Sequence, residues 1–389
     1  MYSDNIKTVK DVDLKNKKVL LRTDFNVPLK EGVIQDDFRI KQGFKTIQYL
    51  FSKGASQVII MSHLGRPEGK DSRYSMDVIR NHLVKMTTKS IVKLDTCVDL
   101  EEIMPSPVEA KIVLLENLRF YEGEKNNDEG FAKELASSAD IFVNDAFGVS
   151  HRKHASVHQI TKFLPSYAGL LVKKELEIFE QILNEPERPF HAIIGGSKLE
   201  TKIPVIKNLI NKVDKLFLGG AMIFTFYKAK GYSIGKSLYD KNNKSLAKML
   251  LNNEKIILPS DVTIADDKDN FSQVLNVNVN QIPSYMMGLD IGTESVKEMI
   301  RELKKAKTIV WNGPLGYYEN PLFAKATVDV LKELAKSDVK VVIGGGDTGF
   351  IVERLGLKND FYHVSTGGGA SLKLLEGSGL VALDALKQQ

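Results

Sequence analysis

The chain has 389 residues, of which 43% are hydrophobic and 26% charged, as in an ordinary globular protein of two or three domains. Its net charge of +5, without a run of cations, argues against a nucleic-acid-binding arm. A single cysteine, Cys97, excludes an intrachain disulfide. Because neither a signal-peptide pattern nor a membrane-spanning apolar run is evident, we expect a cytoplasmic protein.

Short strands that are apolar on both faces alternate with helical segments along the chain. This pattern predicts an α/β fold with parallel sheets buried between helix layers, in two halves that look like copies of one architecture. Strands are predicted at 19–21, 58–61, 91–92, 112–115 and 141–143, then at 191–194, 216–218, 255–258, 308–311, 341–343 and 361–364. Helices in the first half are predicted at 39–53, 76–86 and 129–137. The boundary is predicted at the helical stretch 170–183, because two prolines follow it.

Arginine and glycine are sorted into opposite halves. Seven of the ten arginines precede residue 185, whereas 20 of the 29 glycines follow it. Arginine forks suit small, dense anions, and glycine turns at helix starts suit nucleotide phosphates. We therefore expect an acidic substrate on the first half and a nucleotide on the second.

The loops that follow the predicted strands define the candidate sites, because ligands bind beyond the carboxyl ends of parallel strands. In the first half these loops are rich in arginine, histidine and acidic or amide side chains. They are residues 22–28, 62–66, 116–119 and 144–152.

Two glycine motifs in the second half resemble nucleotide loops. Residues 231–237 are one residue short of a P-loop and follow a helix, so we reject that reading. Residues 344–349 match G-x-G-x-x-G, but Asp347 would repel a pyrophosphate unless a bound Mg²⁺ intervened. No acid for a ribose follows at the dinucleotide spacing, so a Mg-nucleotide is favoured over a dinucleotide.

Other charged residues of the second half have two readings each. Lys198 and Lys202 lie one helical turn apart near a helix start, where they could hold phosphates or simply be solvated. Glu319 could accept ribose hydroxyls or face solvent. No base–nucleophile pair is evident, which hints at phosphoryl transfer to a carboxylate, an acceptor that needs no base.

Eight segments, in order along the chain, resemble those of the phosphoglycerate kinase family. They are RTDFNVP at 22–28, SHLGRP at 62–67, LENLRF at 115–120, VNDAFGVSHRKHAS at 143–156, GGSKLETK at 195–202, WNGP at 311–314, GGGDT at 344–348 and STGGGAS at 365–371. The resemblance implies reversible phosphoryl transfer from ATP to 3-phosphoglycerate, giving 1,3-bisphosphoglycerate and ADP, with Mg²⁺ as MgATP or MgADP. It also implies a monomer with no nucleic-acid or membrane partner.

The implied architecture is two Rossmann-like three-layer domains with parallel sheets, joined by a helical hinge. Residues 1–169 would bind 3-phosphoglycerate, 170–186 would form the interdomain helix, and 187–365 would bind the nucleotide. Residues 366–389 would return to the first domain. Because the substrates would be held on separate domains, a closing motion that excludes water is expected.

The resemblance also implies a role for each matched residue. Arg39 and Lys198 would be the catalytic groups, neutralising the phosphoryl group in transfer. The glycerate substrate would be bound by Asp24, Phe25, Asn26, Arg39, His63, Leu64, Gly65, Arg66, Arg119 and Arg152. The nucleotide would be bound by Lys198, Lys202, Gly219, Gly220, Gly288, Pro314, Glu319, Gly345, Gly346, Asp347 and Thr348, and Asp347 would hold the Mg²⁺.

Two alternatives remain at this point, an NAD-linked dehydrogenase and a non-catalytic nucleotide-binding scaffold. The sequence also departs from the family pattern at three places. Thr23 replaces a common valine, Pro204 enters the early turns of its helix, where we expect it to perturb Lys202, and the tail 377–383 lacks the usual lysine.

Overall fold

The computed structural model describes residues 5–388, which divide into two compact units. The first unit comprises residues 5–180 and 379–388, and the second comprises Gln181–Ser378. The chain passes from the first to the second within one helix, Leu170–Asn184. The domain limits drawn from the family resemblance stay predictions.

The first unit contains eight strands and six helices before the chain crosses to the second. The strands are β1 (Lys18–Arg22), β2 (Leu29–Lys30), β3 (Val33–Ile34), β4 (Gln57–Met61), β5 (Ile91–Lys93), β6 (Ile112–Leu114), β7 (Ile141–Asn144) and β8 (Ser166–Ala168). The helices are α1 (Phe38–Ser52), α2 (Asp77–Leu83), α3 (Leu100–Ile103), α4 (Glu122–Lys125), α5 (Glu129–Ala136) and α6 (Leu170–Asn184). Short 3-10 helices span Ser72–Tyr74, Leu118–Phe120, Phe147–Val149 and Gln159–Lys162.

Six of these strands form one parallel sheet in the order β5-β6-β4-β1-β7-β8, and β2 pairs with β3 as a hairpin. The central strands are buried along nearly their whole length, which explains the apolar residues at the centre of each, 19–21 in β1 and 58–61 in β4. Helix α1 buries Ile40, Phe44, Ile47 and Leu50, whose spacing of three or four residues gives the helix one apolar face.

The second unit repeats this architecture and adds a small antiparallel sheet. Its strands are β9 (Phe190–Ile194), β10 (Lys215–Leu218), β11 (Ile256–Ile257), β12 (Asp261–Ala265), β13 (Val274–Asn278), β14 (Met287–Ile291), β15 (Thr308–Asn312), β16 (Lys340–Ile343) and β17 (His363–Val364). Its helices are α7 (Leu199–Leu209), α8 (Ile223–Ala229), α9 (Lys244–Leu250), α10 (Thr293–Leu303), α11 (Lys325–Ala335), α12 (Gly346–Arg354) and α13 (Gly368–Leu375), with a 3-10 turn at Lys358–Asp360. The parallel sheet has the order β11-β10-β9-β15-β16-β17 and the antiparallel sheet the order β13-β12-β14.

The predicted α/β fold of two Rossmann-like units with parallel sheets is confirmed, and each predicted strand is present. The antiparallel sheet was not predicted. Its strand β13 is largely exposed, so it lacks the continuous apolar run by which the other strands were recognised. Among residues 5–388 no helix is both long and apolar enough to cross a membrane.

The C-terminal tail belongs to the first unit. Its helix α14 (Val381–Asp384) is followed by a 3-10 turn at Ala385–Gln388. Ala382 is fully buried in a small apolar cluster with Ala146, Val149 and Val157, and its N–H donates to the Ser150 carbonyl at 3.1 Å. The atypical tail sequence is therefore compatible with close packing on the loop that follows β7.

A buried carboxyl group caps the helix that links the units. Asp145 Oδ1 accepts hydrogen bonds from the N–H groups of Leu171 (2.8 Å) and Val172 (3.3 Å) in the first turn of α6. A side chain at Gly169 would collide with it, since a Cβ there would lie 2.1 Å from Oδ1. Burial raises the pKa of Asp145 to about 7. The start of α6 thus depends on a carboxyl group that resists ionisation.

We predict that Asp145 makes stability fall as pH rises from about 4 to about 7. The unfolded carboxyl group ionises near its ordinary pKa of about 3.9, whereas the folded group keeps its proton until about pH 7, so ionisation favours the unfolded chain across this window. The loss is at most about 4 kcal/mol. Urea unfolding at several pH values should show this slope in the wild type and a flatter slope in Asp145→Asn. Parallel slopes would contradict the prediction.

Candidate functional site

The polar loops of the first unit meet at one edge of its sheet, because β4, β1 and β7 are adjacent and parallel. Asp24 lies at the centre of this edge. Its Oδ2 is 3.2 Å from Arg39 Nη1, and its Oδ1 accepts from the Asn26 N–H at 3.2 Å. Arg39 Nη1 also donates to the Asn26 carbonyl at 3.0 Å, and Asn26 Oδ1 accepts from the Gly65 N–H at 2.8 Å. These contacts join the loops after β1 and β4 to the start of α1.

Asn117, which the sequence analysis did not single out as a site residue, joins the next loop to them. Its Oδ1 accepts from the N–H groups of Leu64 (3.3 Å) and Arg119 (3.0 Å), and its Nδ2 donates to the Leu64 carbonyl at 2.8 Å. Arg119 Nη1 donates to the Gly65 carbonyl. The signal available in the sequence was an amide residue close to an arginine in LENLRF. In the structure Asn117 is fully buried.

Cations dominate the electrostatics of this edge. His63 is only 2% exposed, and burial together with the charges of Arg22, Arg119, Arg39 and Arg152 holds the pKa of its imidazole well below the usual value. Burial, and then Arg152 and Arg22, lower the pKa of Arg119 to about 10. Because like charges depress both pKa values, an anion bound here would be stabilised.

The predicted substrate-binding residues therefore differ in their surroundings. Asp24, Asn26, Arg39, Gly65 and Arg119 touch one another through the contacts above, and His63 and Arg152 join them through charge. Phe25 and Leu64 are fully buried, and their N–H groups donate to Ser62 Oγ and Asn117 Oδ1, so in this structure both residues support the loops rather than face a ligand. Arg66 is exposed beside Gly65.

Arg22 and Glu124 form a buried ion pair beneath this edge that was not predicted. Both side chains are 1% exposed, and Arg22 Nη2 lies 3.8 Å from Glu124 Oε1. An arginine that ends an otherwise apolar strand was the only signal in the sequence. Its partner, a glutamate in the short helix α4, carried none.

The glycine-rich loops of the second unit approach one another at the carboxyl edge of its parallel sheet. A Cβ at Gly195 would lie 2.0 Å from the Pro314 carbonyl oxygen, and one at Gly313 would lie 2.3 Å from the Gly195 carbonyl oxygen. A Cβ at Gly220 would lie 2.4 Å from the Gly196 carbonyl oxygen. The backbones of three loops therefore meet here without intervening side chains.

Two predicted cations lie on α7. Lys202 Nζ donates to Asn312 Oδ1 at 2.6 Å, and burial lowers the pKa of Lys202 against the opposing charges of Asp347 and Glu376. Lys198 is exposed at the N-cap. The helix continues through Pro204 to Leu209, and Lys202 lies within this continuous helix.

Asp347 lies in the first turn of α12, exposed, and its Oδ1 accepts from the Tyr318 hydroxyl at 3.0 Å. Burial and the Asp347 charge raise the pKa of Tyr318 to about 12. Within residues 5–388, groups of three or more His, Cys, Asp or Glu side chains able to hold a metal are absent. An exposed single carboxylate fits Mg²⁺, which keeps most of its shell as water and substrate phosphate.

The remaining predicted nucleotide residues surround these groups or support them. Gly346 opens α12, and Gly345 precedes it with φ +72° and close contact to Gly368. The Thr348 hydroxyl is buried, and no hydrogen-bond partner for it is found in the described chain. Glu319 is exposed.

Two further glycines are required by packing. A Cβ at Gly219 would lie 2.4 Å from Leu315 Cδ2, and one at Gly288, in β14, would lie 1.9 Å from Phe224 Cζ of helix α8. Packing alone therefore accounts for glycine at both positions.

The structure thus has two parallel-sheet units, one with an arginine-rich edge and one with glycine-rich helix starts. The sequence profile of the family described as phosphoglycerate kinase matches residues 9–378. The chain belongs to the phosphoglycerate kinase family.

Named relatives and solved structures agree over nearly the full length. The chain is 46% identical to phosphoglycerate kinase of Pelotomaculum thermopropionicum, covering 98% of each chain, and 47% identical to that of Trichodesmium erythraeum, covering 99% of this chain and 100% of the relative. The structure of phosphoglycerate kinase from Coxiella burnetii matches with a TM-score of 0.85 at 35% identity, covering 98% of this chain and 99% of that one. The chain is thus a phosphotransferase with a carboxyl group as acceptor, and the reaction is phosphoryl transfer between ATP and 3-phosphoglycerate.

We predict that Gly313→Ala destabilises the second unit more than Gly231→Ala does. Both glycines have positive φ, +90° and +88°, so each alanine bears a similar backbone strain of about 1–2 kcal/mol. Only at Gly313 does the new Cβ meet backbone, whereas at Gly231 nothing lies within 4 Å. Urea unfolding should show an additional cost of about 1–3 kcal/mol for Gly313→Ala. Equal costs would show that the loops can separate freely.

Proposed function

We propose that the arginine-rich edge of the first unit binds 3-phosphoglycerate and that the glycine-rich edge of the second binds MgATP. The observation that carries this proposal is the crowding of Arg22, Arg39, Arg119 and Arg152 around the buried His63. Such a group of like charges is stable in a folded protein when it is balanced, and a dense dianion such as a phosphate monoester balances it well.

The chemistry requires charge neutralisation more than proton transfer. The acceptor carboxylate is already ionised at pH 7, so it needs no general base. Arg39 is suited to the catalytic role because its side chain is 31% exposed while its head is held by Asp24 and the Asn26 carbonyl. From the second unit, the exposed Lys198 supplies the other cation. Closure of the two units around the substrates would exclude the water that competes for the phosphoryl group.

The nucleotide would be held mainly by backbone. Glycine occupies the N-cap and first position of α12, and Gly346 is exposed, so no side chain at these two positions screens the helix start, where the helix dipole favours phosphate. Lys202 would add one charge, and Asp347 would hold Mg²⁺, which neutralises phosphate charge when it is bound. Gly219, Gly220, Gly288 and Pro314 would border the base, and Glu319 would accept the ribose hydroxyls.

We also propose that the protein acts as a cytoplasmic monomer without a nucleic-acid or membrane partner. The dispersed charge supports the absence of a polyanionic partner. The buried, unpaired Cys97 is compatible with a reducing compartment.

We predict that Arg39→Ala lowers kcat by roughly 10³-fold, because a cation that stabilises the transferring group is lost. The measurement is ADP formation from MgATP and 3-phosphoglycerate, with the acyl phosphate removed by a coupled reaction. The matched control is Arg73→Ala, since Arg73 is 82% exposed and pairs with Asp71.

The same assay tests the proposed function itself. Wild-type turnover should require the 3-phosphate, so glycerate in its place should give none. Turnover with glycerate would refute the assignment of the arginines.

We predict that Asp347→Ala weakens MgATP binding by about tenfold or more and leaves 3-phosphoglycerate affinity unchanged, because the carboxylate lies on the second unit alone. Calorimetric titration with each ligand measures both affinities. Asp338→Ala, which removes another exposed aspartate of this unit, is the control. Equal weakening of both ligands would contradict the division of substrates between the units.

A further inference from the structure

The strongest unexplained feature of the molecule is the buried arginine beneath the arginine-rich edge of the first unit. Arg22 is held on three sides within the first unit. Its Nε donates to Ser156 Oγ at 2.9 Å, its Nη1 donates to the Thr23 carbonyl, and its Nη2 lies 3.1 Å from His63 Nδ1. Arg22 is buried and all three of its guanidinium nitrogens have partners within the unit, so it is not available to a ligand. Its effect on a ligand must therefore pass through another residue.

The contact with His63 fixes where the imidazole proton resides. An arginine has five N–H donors and no acceptor, so a ring nitrogen within hydrogen-bond distance of Nη2 must accept. His63 Nδ1 is therefore unprotonated. Since the ring is neutral in its cationic surroundings, its single proton is on Nε2.

The other ring nitrogen remains able to donate to a ligand. His63 Nε2 is 4.0 Å from Asp24 Oδ1, beyond hydrogen-bond distance, and that oxygen already accepts from the Asn26 N–H. An anion at this edge would thus meet an N–H group where the opposite tautomer would present a repulsive lone pair.

A second set of contacts fixes Arg22 itself. Glu124 Oε1 accepts from Ser156 Oγ at 2.7 Å, and Oε2 accepts from the Ser156 N–H at 3.0 Å. His154 Nδ1 lies 3.6 Å from Oε1. The carboxylate thus compensates the buried guanidinium and orients the hydroxyl group that receives Arg22 Nε.

We propose that Arg22, fixed by Glu124 and Ser156, is a positioning residue that holds His63 in the Nε2–H tautomer, so that His63 donates a hydrogen bond to an anionic group of the substrate. The inference rests on the proposed function for the identity of that substrate. The tautomer itself does not depend on it.

The first test uses the wild-type protein. Nitrogen-15 NMR of histidine-labelled protein distinguishes a protonated ring nitrogen from an unprotonated one, and the His63→Gln variant identifies the His63 signals by their loss. We expect protonated Nε2 and unprotonated Nδ1 at neutral pH, with or without 3-phosphoglycerate. A protonated Nδ1 would overturn the proposal.

The second test asks whether Arg22 acts through His63. Arg22→Met alone leaves the buried Glu124 carboxylate without its guanidinium partner, so the variant for this test is Arg22→Met with Glu124→Gln, which removes both charges. We expect it to weaken 3-phosphoglycerate binding by about 10-fold to 100-fold, as for a lost hydrogen bond to a charged group. In a His63→Gln background the same pair of substitutions should weaken binding by less than about threefold. The glutamine amide has N–H donors whichever residue stands at position 22, so it does not need Arg22 to set its proton.

Equal losses in both backgrounds would mean that Arg22 acts without His63 and would overturn the proposal. If the double variant shows no thermal unfolding transition, and so is not folded, Ser156→Ala takes its place in the same comparison. This substitution removes one hydrogen bond of Arg22. Absence of 3-phosphoglycerate binding in the wild type would refute the proposed function, whereas the NMR result would still decide the tautomer.

Discussion

Repulsion between cations at the carboxyl edge of the first sheet is the constraint on which this site depends. The fold brings four guanidinium groups near one buried imidazole, and two carboxylates offset them. Asp24 holds Arg39 at the surface, and Glu124 holds Arg22 in the interior. The remaining positive charge is open to an anion. Burial and the surrounding arginines keep His63 neutral, and its contact with Arg22 fixes its hydrogen-bonding direction, which gives the edge a defined geometry as well as a charge.

The second unit also has a six-stranded parallel sheet, although its strand order differs from that of the first, and its edge carries glycine loops in place of arginine side chains. A nucleotide carries several phosphate charges, and backbone N–H groups at helix starts can bind them only where side chains do not intervene. The contacts of Gly195, Gly220 and Gly313 with neighbouring backbone show why glycine is required there. Lys202 contributes a single half-buried cation, held by Asn312. One unit thus concentrates side-chain charge at its sheet edge, and the other brings glycine backbone from three loops together there.

The parts of the fold that could be predicted from sequence are those with a simple pattern of burial. Strands such as β4 and β9 are buried throughout, and a continuous apolar run is hard to mistake. The antiparallel sheet escaped prediction because β13 is mostly exposed and mixes asparagine with valine. Loop residues could be assigned to one sheet edge because parallel strands end together. The contacts of Asn117 with two loops could not be predicted. An amide can donate to or accept from many groups, so its partners are known only once the loops lie beside it.

Residue type and short-range periodicity were enough to predict the two-unit α/β architecture, the edge on which the polar loops lie and the family to which the chain belongs. Which charges are paired and which groups are ionised became apparent from the folded arrangement. Arg22 meets Ser156 across 134 residues of chain, and Lys202 meets Asn312 across 110. The neutral state of His63 follows from burial and from arginines that are mostly remote in sequence, and the raised pKa of Asp145 follows from burial. Electrostatic energies depend on distance and local dielectric, and both are set only when distant segments fold together.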